Sequence, residues 1–368
     1  MRTTTLLLAA LPLVAQGLPP ARQQEIEKLI TQEMTRQSIP AVSVAVAAGG
    51  EVLWTAGYGM ADVENFVPAR ASTVYRTGSV AKPMTAVAVM QLVEAGKIDL
   101  DAPIHRYLPT FPHKPWPITI RQLLGHLGGI RHYSSVEEMN STRHYRDLDS
   151  ALRIFQDDPL LAEPGTRYTY STFGYVLLGA AVEHASGMRY VDYLRQRIFQ
   201  PAGMERTRQD HLYAIIPNRA RGYAMNSNGQ LQNCSLADTS NKIPGGGLVS
   251  TAEDLVRFAL ALRKGSLVKS STVEQMFQPQ RLKDGRVSNY GLGWFILSNE
   301  GRRIVGHTGG QQGVSTMLGM MPREGIAVAL MCNLEKGELQ DLSLRIARLL
   351  IDVRTRPELT RANSPKNQ

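Results

Sequence analysis

A serine and a lysine three residues apart, Ser79 and Lys82, stand in the stretch Thr77-Gly78-Ser79-Val80-Ala81-Lys82-Pro83-Met84, where a long apolar run begins. Positions i and i+3 share one face of a helix, so the Lys82 amine can lie beside the Ser79 hydroxyl. A serine hydroxyl is a poor nucleophile at neutral pH until a neighbour takes its proton. This pair supplies such a neighbour within one turn. Taken alone, the pattern also fits a capping serine followed by a solvated lysine. The residues that follow argue against that reading. Met84, Val87, Ala88, Met90, Leu92 and Val93 leave little polar face, so the helix is expected to be buried and to end near Gly96. A lysine at the buried end of such a helix is costly unless it is paired or working.

A serine nucleophile further requires a base and an oxyanion hole. The candidate base lies in Pro164-Gly165-Thr166-Arg167-Tyr168-Thr169-Tyr170-Ser171-Thr172, a turn that enters another strongly apolar helix. A tyrosine beside an ammonium group has a favoured phenolate, which would let Tyr170 accept a proton. The third segment is Val305-Gly306-His307-Thr308-Gly309-Gly310, a strand running into glycines that let backbone N–H groups approach a ligand. The Ser79 and Gly310 amides are the candidate oxyanion donors. Read separately, Tyr170 is a packing residue at a helix start and His307-Thr308 is a strand end. The three segments together, in this order, are harder to explain that way.

These segments resemble the serine β-lactamase-related family, which includes class C β-lactamases, penicillin-binding carboxypeptidases, D-aminopeptidases and lactamase-like esterases. The resemblance covers about residues 24–352 and extends to Ile39-Pro40-Ala41-Val42, Leu123-Leu124-Gly125-His126-Leu127-Gly128-Gly129-Ile130 and Gly245-Gly246-Gly247-Leu248-Val249-Ser250-Thr251. Asp62-Val63-Glu64-Asn65 and Ile130-Arg131-His132-Tyr133 look most like its mitochondrial, filament-forming branch, which implies self-association. The resemblance implies that Ser79 is the acylated nucleophile, Lys82 its helix partner and Tyr170 the tyrosine of the Tyr-x-Asn motif. It places Thr172, His307, Thr308 and Gly309 at the substrate. Two residues depart from the family pattern. Thr172 stands where the motif has Asn, and His307 stands where Lys-Thr-Gly has its lysine. His307 would hold a substrate carboxylate only when protonated, near its ordinary pKa of about 6.5. Strong β-lactamase activity is therefore not expected, whereas acyl transfer is.

The remaining sequence narrows the function. The chain has 368 residues, 43% hydrophobic and 20% charged, which is enough for a sizeable core. The formal net charge is +9, but the basic residues are scattered and no basic run is interleaved with aromatics, so nucleic acid is not an expected partner. Residues 1–17 carry a charged start, an apolar core from Leu6 to Val14 and small residues after it, which reads as a secretory signal peptide and predicts a periplasmic or secreted protein. No stretch reaches membrane-spanning length. The two cysteines, Cys234 and Cys332, make no disulfide framework and suit neither zinc nor redox motifs. His126, His132 and His144 are not spaced as a metal set and are read as loop hydrogen-bonders. No metal or cofactor is expected, and the expected partner is a small-molecule or peptide substrate.

Certain elements must position these residues. The pattern predicts an amphipathic helix over 20–37, strands over 41–48 and 51–58 about Gly49-Gly50, and the apolar helix over 79–95. Further helices are expected at about 119–126, 172–186, 189–199 and 250–264, the last with a capping box of Ser250 and Glu253. Strands are expected at 290–297, 302–307, 313–320 and 325–332, then a helix over 338–352. Short connections imply antiparallel pairing. The predicted fold is therefore α/β: an antiparallel sheet flanked by terminal helices, with an inserted, mostly helical domain, as in β-lactamase and transpeptidase-like proteins. The sheet domain is assigned to 18–76 plus 236–353, the insert to 77–235, and a basic disordered tail to 354–368. A ligand site is expected in the cleft between the parts.

Overall fold

The run Ala41-Val42-Ser43-Val44-Ala45-Val46-Ala47-Ala48 has no polar face, and in the computed structural model every one of its residues is buried. The structure describes residues 17–362; the rest of the expected leader and the last residues of the expected tail lie outside the described residues. This run is the interior strand β1 of a seven-stranded antiparallel sheet. The other strands are β2 (Glu51–Asp62), β3 (Val67–Pro68), β4 (Phe295–Asn299), β5 (Arg302–Gln311), β6 (Val314–Met321) and β7 (Ile326–Cys332). Their order is β3-β2-β1-β7-β6-β5-β4, so the first strand pairs with the last, Val44 opposite Leu330. The sheet is thus built from both ends of the chain.

Side chains alternate across a strand, and both faces here are covered. Val42, Val44, Val46, Val328, Leu330 and Cys332 pack with Ile26 and Ile30 of helix α1 (Pro20–Gln37) and with Leu342, Ile346 and Leu350 of the terminal helix. Ala45, Ala47, Ala327, Ala329 and Met331 face the other way, in the same core as Leu255, Phe258 and Ala259. Small residues on that face let a helix approach closely. That core continues through helix α2 (Ala81–Glu94) and helix α3 (Thr172–Ser186), both nearly all apolar.

Several boundaries differ from the expected ones. Ser79 lies in a 3-10 turn, Gly78–Val80, and α2 begins at Ala81. The helix expected at 189–199 is Tyr190–Leu194 continued by a π-turn over Arg195–Phe199. Helix α4 (Ala252–Arg263) is capped by Thr251, whose hydroxyl accepts from the Asp254 N–H, because Ser250 is taken up as the end of strand Leu248–Ser250. Residues 290–294 are not strand, and β4 starts at Phe295. Helix α5 (Gln340–Ala362) runs past 352 into the segment assigned to a disordered tail. Both cysteines are free thiols, and Cys332 is buried in the core. No helix among the described residues is long and apolar enough to cross a membrane.

Candidate active site

The Ser79 turn is held from three sides. The short strand Tyr75–Arg76 pairs with Leu248–Ser250, which also pairs with Arg208–Gln209, and the Thr77 N–H donates to the Leu248 carbonyl at 2.9 Å. Gly78 has φ +49°, a left-handed conformation that favours glycine, and a Cβ there would lie 2.9 Å from the Gly310 nitrogen. Strand β5 closes the third side. Its pairing with β4 ends at Gly306, and beyond that point its outer edge runs along the Ser79 turn. A Cβ on Gly309 would come within 2.1 Å of the Thr77 oxygen and 3.3 Å of the Ser79 nitrogen, so only glycine permits this approach. Gly310 faces open space. The approach brings the Gly310 backbone beside the Gly78–Ser79 turn, which keeps the Ser79 and Gly310 amides as the candidate oxyanion donors.

Lys82 is fully buried, in the first turn of α2. Its Nζ sits 3.0 Å from Ser79 Oγ, 3.1 Å from Thr172 Oγ1 and 2.7 Å from the Gly245 carbonyl oxygen. None of these partners is a carboxylate. Burial, and the charge of Lys242, push the Lys82 amine well below its ordinary pKa. The Nζ donates to the Gly245 carbonyl, which can only accept, and to the Thr172 and Ser79 hydroxyls; on losing one proton it can keep the first two contacts and turn its lone pair to the Ser79 O–H.

Tyr170 is hydrogen-bonded to Ser79, and its ring lies 4.8 Å from Lys82 Nζ. Burial, the largest influence, raises its pKa above the ordinary value despite the hydrogen bond with Ser79, which works against the phenolate expected for it. With the lysine pushed down and the tyrosine pushed up, Lys82 is the candidate base at this serine and Tyr170 a candidate donor.

His307 is also placed differently from its expected role. Adjacent residues of a strand face opposite sides. Thr308 and Gly310 are exposed, whereas His307 and Gly309 are buried. The His307 Nδ1–H donates to the Thr308 carbonyl at 2.6 Å, and Nε2 accepts from the Tyr290 hydroxyl at 2.9 Å. Burial first, then the nearby Lys82, push its pKa down to about 3. A neutral ring behind Tyr170 cannot hold a substrate carboxylate at working pH. His307→Lys would bury an ammonium against Tyr290 and Phe295. It is therefore expected to cost about 2 kcal/mol or more of stability, and not to create a carboxylate site. Denaturant unfolding of the variant checks this; unchanged stability with improved cephalosporin turnover would refute it.

Sequence reasoning missed the groups that hold Tyr170 and Thr172 in place. His126 Nδ1 accepts from the Ser171 N–H and His132 Nδ1 from the Thr172 N–H, both at 3.2 Å, while Ser171 Oγ caps α3 through the Gly174 N–H. The His126 ring packs 4.3 Å from that of Tyr170. The Tyr133 hydroxyl bonds the Thr172 side chain. The signal was present in the Leu123–Ile130 and Gly245–Thr251 signatures, but there as family likeness without assigned chemistry.

Burial drives the pKa of His126 well down and that of His132 to about 4. With His307, three histidines are neutral when folded but titrate near about 6.5 when unfolded. The unfolded chain then binds more protons below that pH, so stability is complete above about 6.5 and falls as pH drops toward about 4. Urea unfolding at about pH 7.5 and 5.5 should show a loss of about 2 kcal/mol or more. A flat profile would contradict the neutral assignments.

The chain resembles several known proteins. A beta-lactamase family model matches residues 26–352. The human mitochondrial serine beta-lactamase-like protein LACTB is 31% identical, over 84% of this chain and 76% of its own length. Penicillin-binding protein 4* of Bacillus subtilis (strain 168) is 32% identical, over 75% of this chain and 64% of its own length. Among solved structures, the octameric penicillin-binding protein homologue from Pyrococcus abyssi matches with a TM-score of 0.76 at 26% identity, covering 90% of this chain and 77% of that one. The D-amino acid amidase from Ochrobactrum anthropi SV3, complexed with L-phenylalanine amide, matches with a TM-score of 0.75 at 26% identity, covering 93% and 99%.

Proposed function

Since the chain belongs to the beta-lactamase family, whose fold it has, we propose that it is an exported serine hydrolase that works through an acyl-enzyme on amides or esters, with small peptides as its substrate class. The observation that carries this reading is the fully buried Lys82 amine, 3.0 Å from Ser79 Oγ and with no carboxylate among its hydrogen-bond partners. Lys82 takes the Ser79 proton as Oγ bonds to the substrate carbonyl carbon. The oxygen that becomes negative meets the Ser79 and Gly310 N–H groups. Collapse breaks the bond to the leaving amine or alcohol, which takes a proton from Lys82 directly or through the Tyr170 hydroxyl. Water repeats the sequence on the acyl-enzyme and frees Ser79.

Amides are favoured by the likeness to a D-amino acid amidase. β-Lactams are disfavoured by two features. The Thr172 hydroxyl is occupied by Lys82 and Tyr133, so no amide is offered to the substrate carbonyl. His307 offers no cation. Export rests on the apolar leader of the sequence. The test is a fluorophosphonate label followed by a panel of peptide amides, esters and a chromogenic cephalosporin. Labelling with turnover of amides or esters well above the cephalosporin is expected. Absence of labelling would leave a non-catalytic scaffold of the same fold.

A further inference from the structure

A second buried lysine stands behind the site and is not used by the chemistry above. Lys242, 2% exposed, ends the 3-10 turn Thr239–Lys242, directly before the Ile243–Gly246 turn whose Gly245 carbonyl receives Lys82. Its Nζ donates to the Met139 carbonyl at 2.7 Å and lies 4.8 Å from the centre of the Tyr133 ring. The Tyr133 hydroxyl bonds Thr172, and the Thr172 hydroxyl bonds Lys82. The two amines are therefore linked through the Tyr133 ring and the Thr172 hydroxyl, with no carboxylate in that line. We propose that Lys242 is a positioning residue that acts on Lys82 across Tyr133 and Thr172, its positive charge holding Lys82 in the unprotonated form that accepts the Ser79 proton.

The charges around the pair fit this role. Facing Lys82 are His126, His132 and His307, all held neutral, and the phenols of Tyr170 and Tyr175. On the far side of Lys242 are Arg76, Asp210 and Asp238. The arginine opposes its charge and the two carboxylates support it, and burial dominates, so the Lys242 pKa stands at about 7. Asp210 is itself bound by Arg76 at 2.8 Å and Arg219 at 3.1 Å, and Asp238 by His144 at 2.9 Å. Both carboxylates thus have partners other than Lys242, whose own hydrogen bond goes to the Met139 carbonyl. Strand β5 brings no cation to the serine because its candidate, His307, is neutral. The positive potential at the base comes from Lys242 instead.

This inference rests on Lys82 as the base. If it holds, kcat/KM rises with pH as Lys82 loses its proton. Lys242→Met removes the neighbouring charge, so the acid limb should move to higher pH, with a fall of about threefold or more on the acid side. Lys242→Arg keeps a charge and should leave the limb near its wild-type position. Lys242→Gln retains a donor for the Met139 carbonyl and serves as the neutral variant if the methionine form does not fold. The 13Cε titration of Lys82, followed by NMR in wild type and the neutral variant, reads the same shift without turnover. A neutral variant whose Lys82 titration does not move would overturn the proposal, as would an arginine variant shifted as far as the neutral one. Failure of the wild-type protein to label at Ser79 would instead overturn the hydrolase reading, leaving the lysine titration to be judged separately.

Discussion

Ser79→Ala is expected to abolish phosphonate labelling and hydrolysis while leaving the fold intact. The hydroxyl contributes little packing, since Ser79 is half-exposed at the cleft and the turn around it is set by backbone contacts of Thr77, Gly78 and Gly309. Removing it takes away the atom that bonds to the acyl group, so the loss should reach about 10⁴-fold or more in kcat/KM, with any remainder due to binding and the oxyanion donors. The melting temperature should change little. Lys82 loses one of three partners, and a neutral amine tolerates that loss better than an ammonium would. Intact-mass analysis after labelling decides the matter. A label that persists in the alanine variant would place the nucleophile elsewhere.

Lys82→Met and Tyr170→Phe should behave as one unit with the serine. Lys82 is the only buried amine within hydrogen-bond reach of Ser79 among the described residues, and the methionine variant leaves no base, so a loss of about 10³-fold or more is expected. Tyr170→Phe removes the hydroxyl bonded to Ser79 and keeps the ring that packs on His126, so it tests the relay with little disturbance to packing. Its loss should be smaller, about 10²-fold. Residues acting on one proton are not additive, and the double variant should be little worse than Lys82→Met alone. Steady-state kinetics on an activated ester measure all three. A double variant showing the product of both losses would mean that the two residues act independently.

How the roles divide between Lys82 and Tyr170 marks the limit of what spacing can say. An i,i+3 pair at the head of an apolar helix was enough to bring Ser79 and Lys82 together, because helix geometry is local. The alternating and continuous apolar runs likewise determined which strands exist, and short connections determined that they pair antiparallel. Thr172 beside Lys82 and glycines beside the Ser79 turn also followed from the motifs.

What the sequence could not decide was the protonation of the site, because charge state depends on depth of burial and on neighbours distant in the chain. Tyr170 was expected to be a phenolate and His307 a titrating cation. Burial works against both charged forms, since the aromatic shell of Tyr168, Tyr175 and Tyr290 and the edge of the sheet exclude water from them. The facing of His307 and Thr308 on β5 was open until the pairing with β6 set which alternate side chains turn inward. Lys242, 160 residues from Lys82 by their numbers, carried no local signal at all. Only the packing of the Thr239–Lys242 turn against the loop bearing Tyr133 and Met139 brings its charge to the base. Local pattern determined which residues meet at the serine, and tertiary burial decided which of them carry protons.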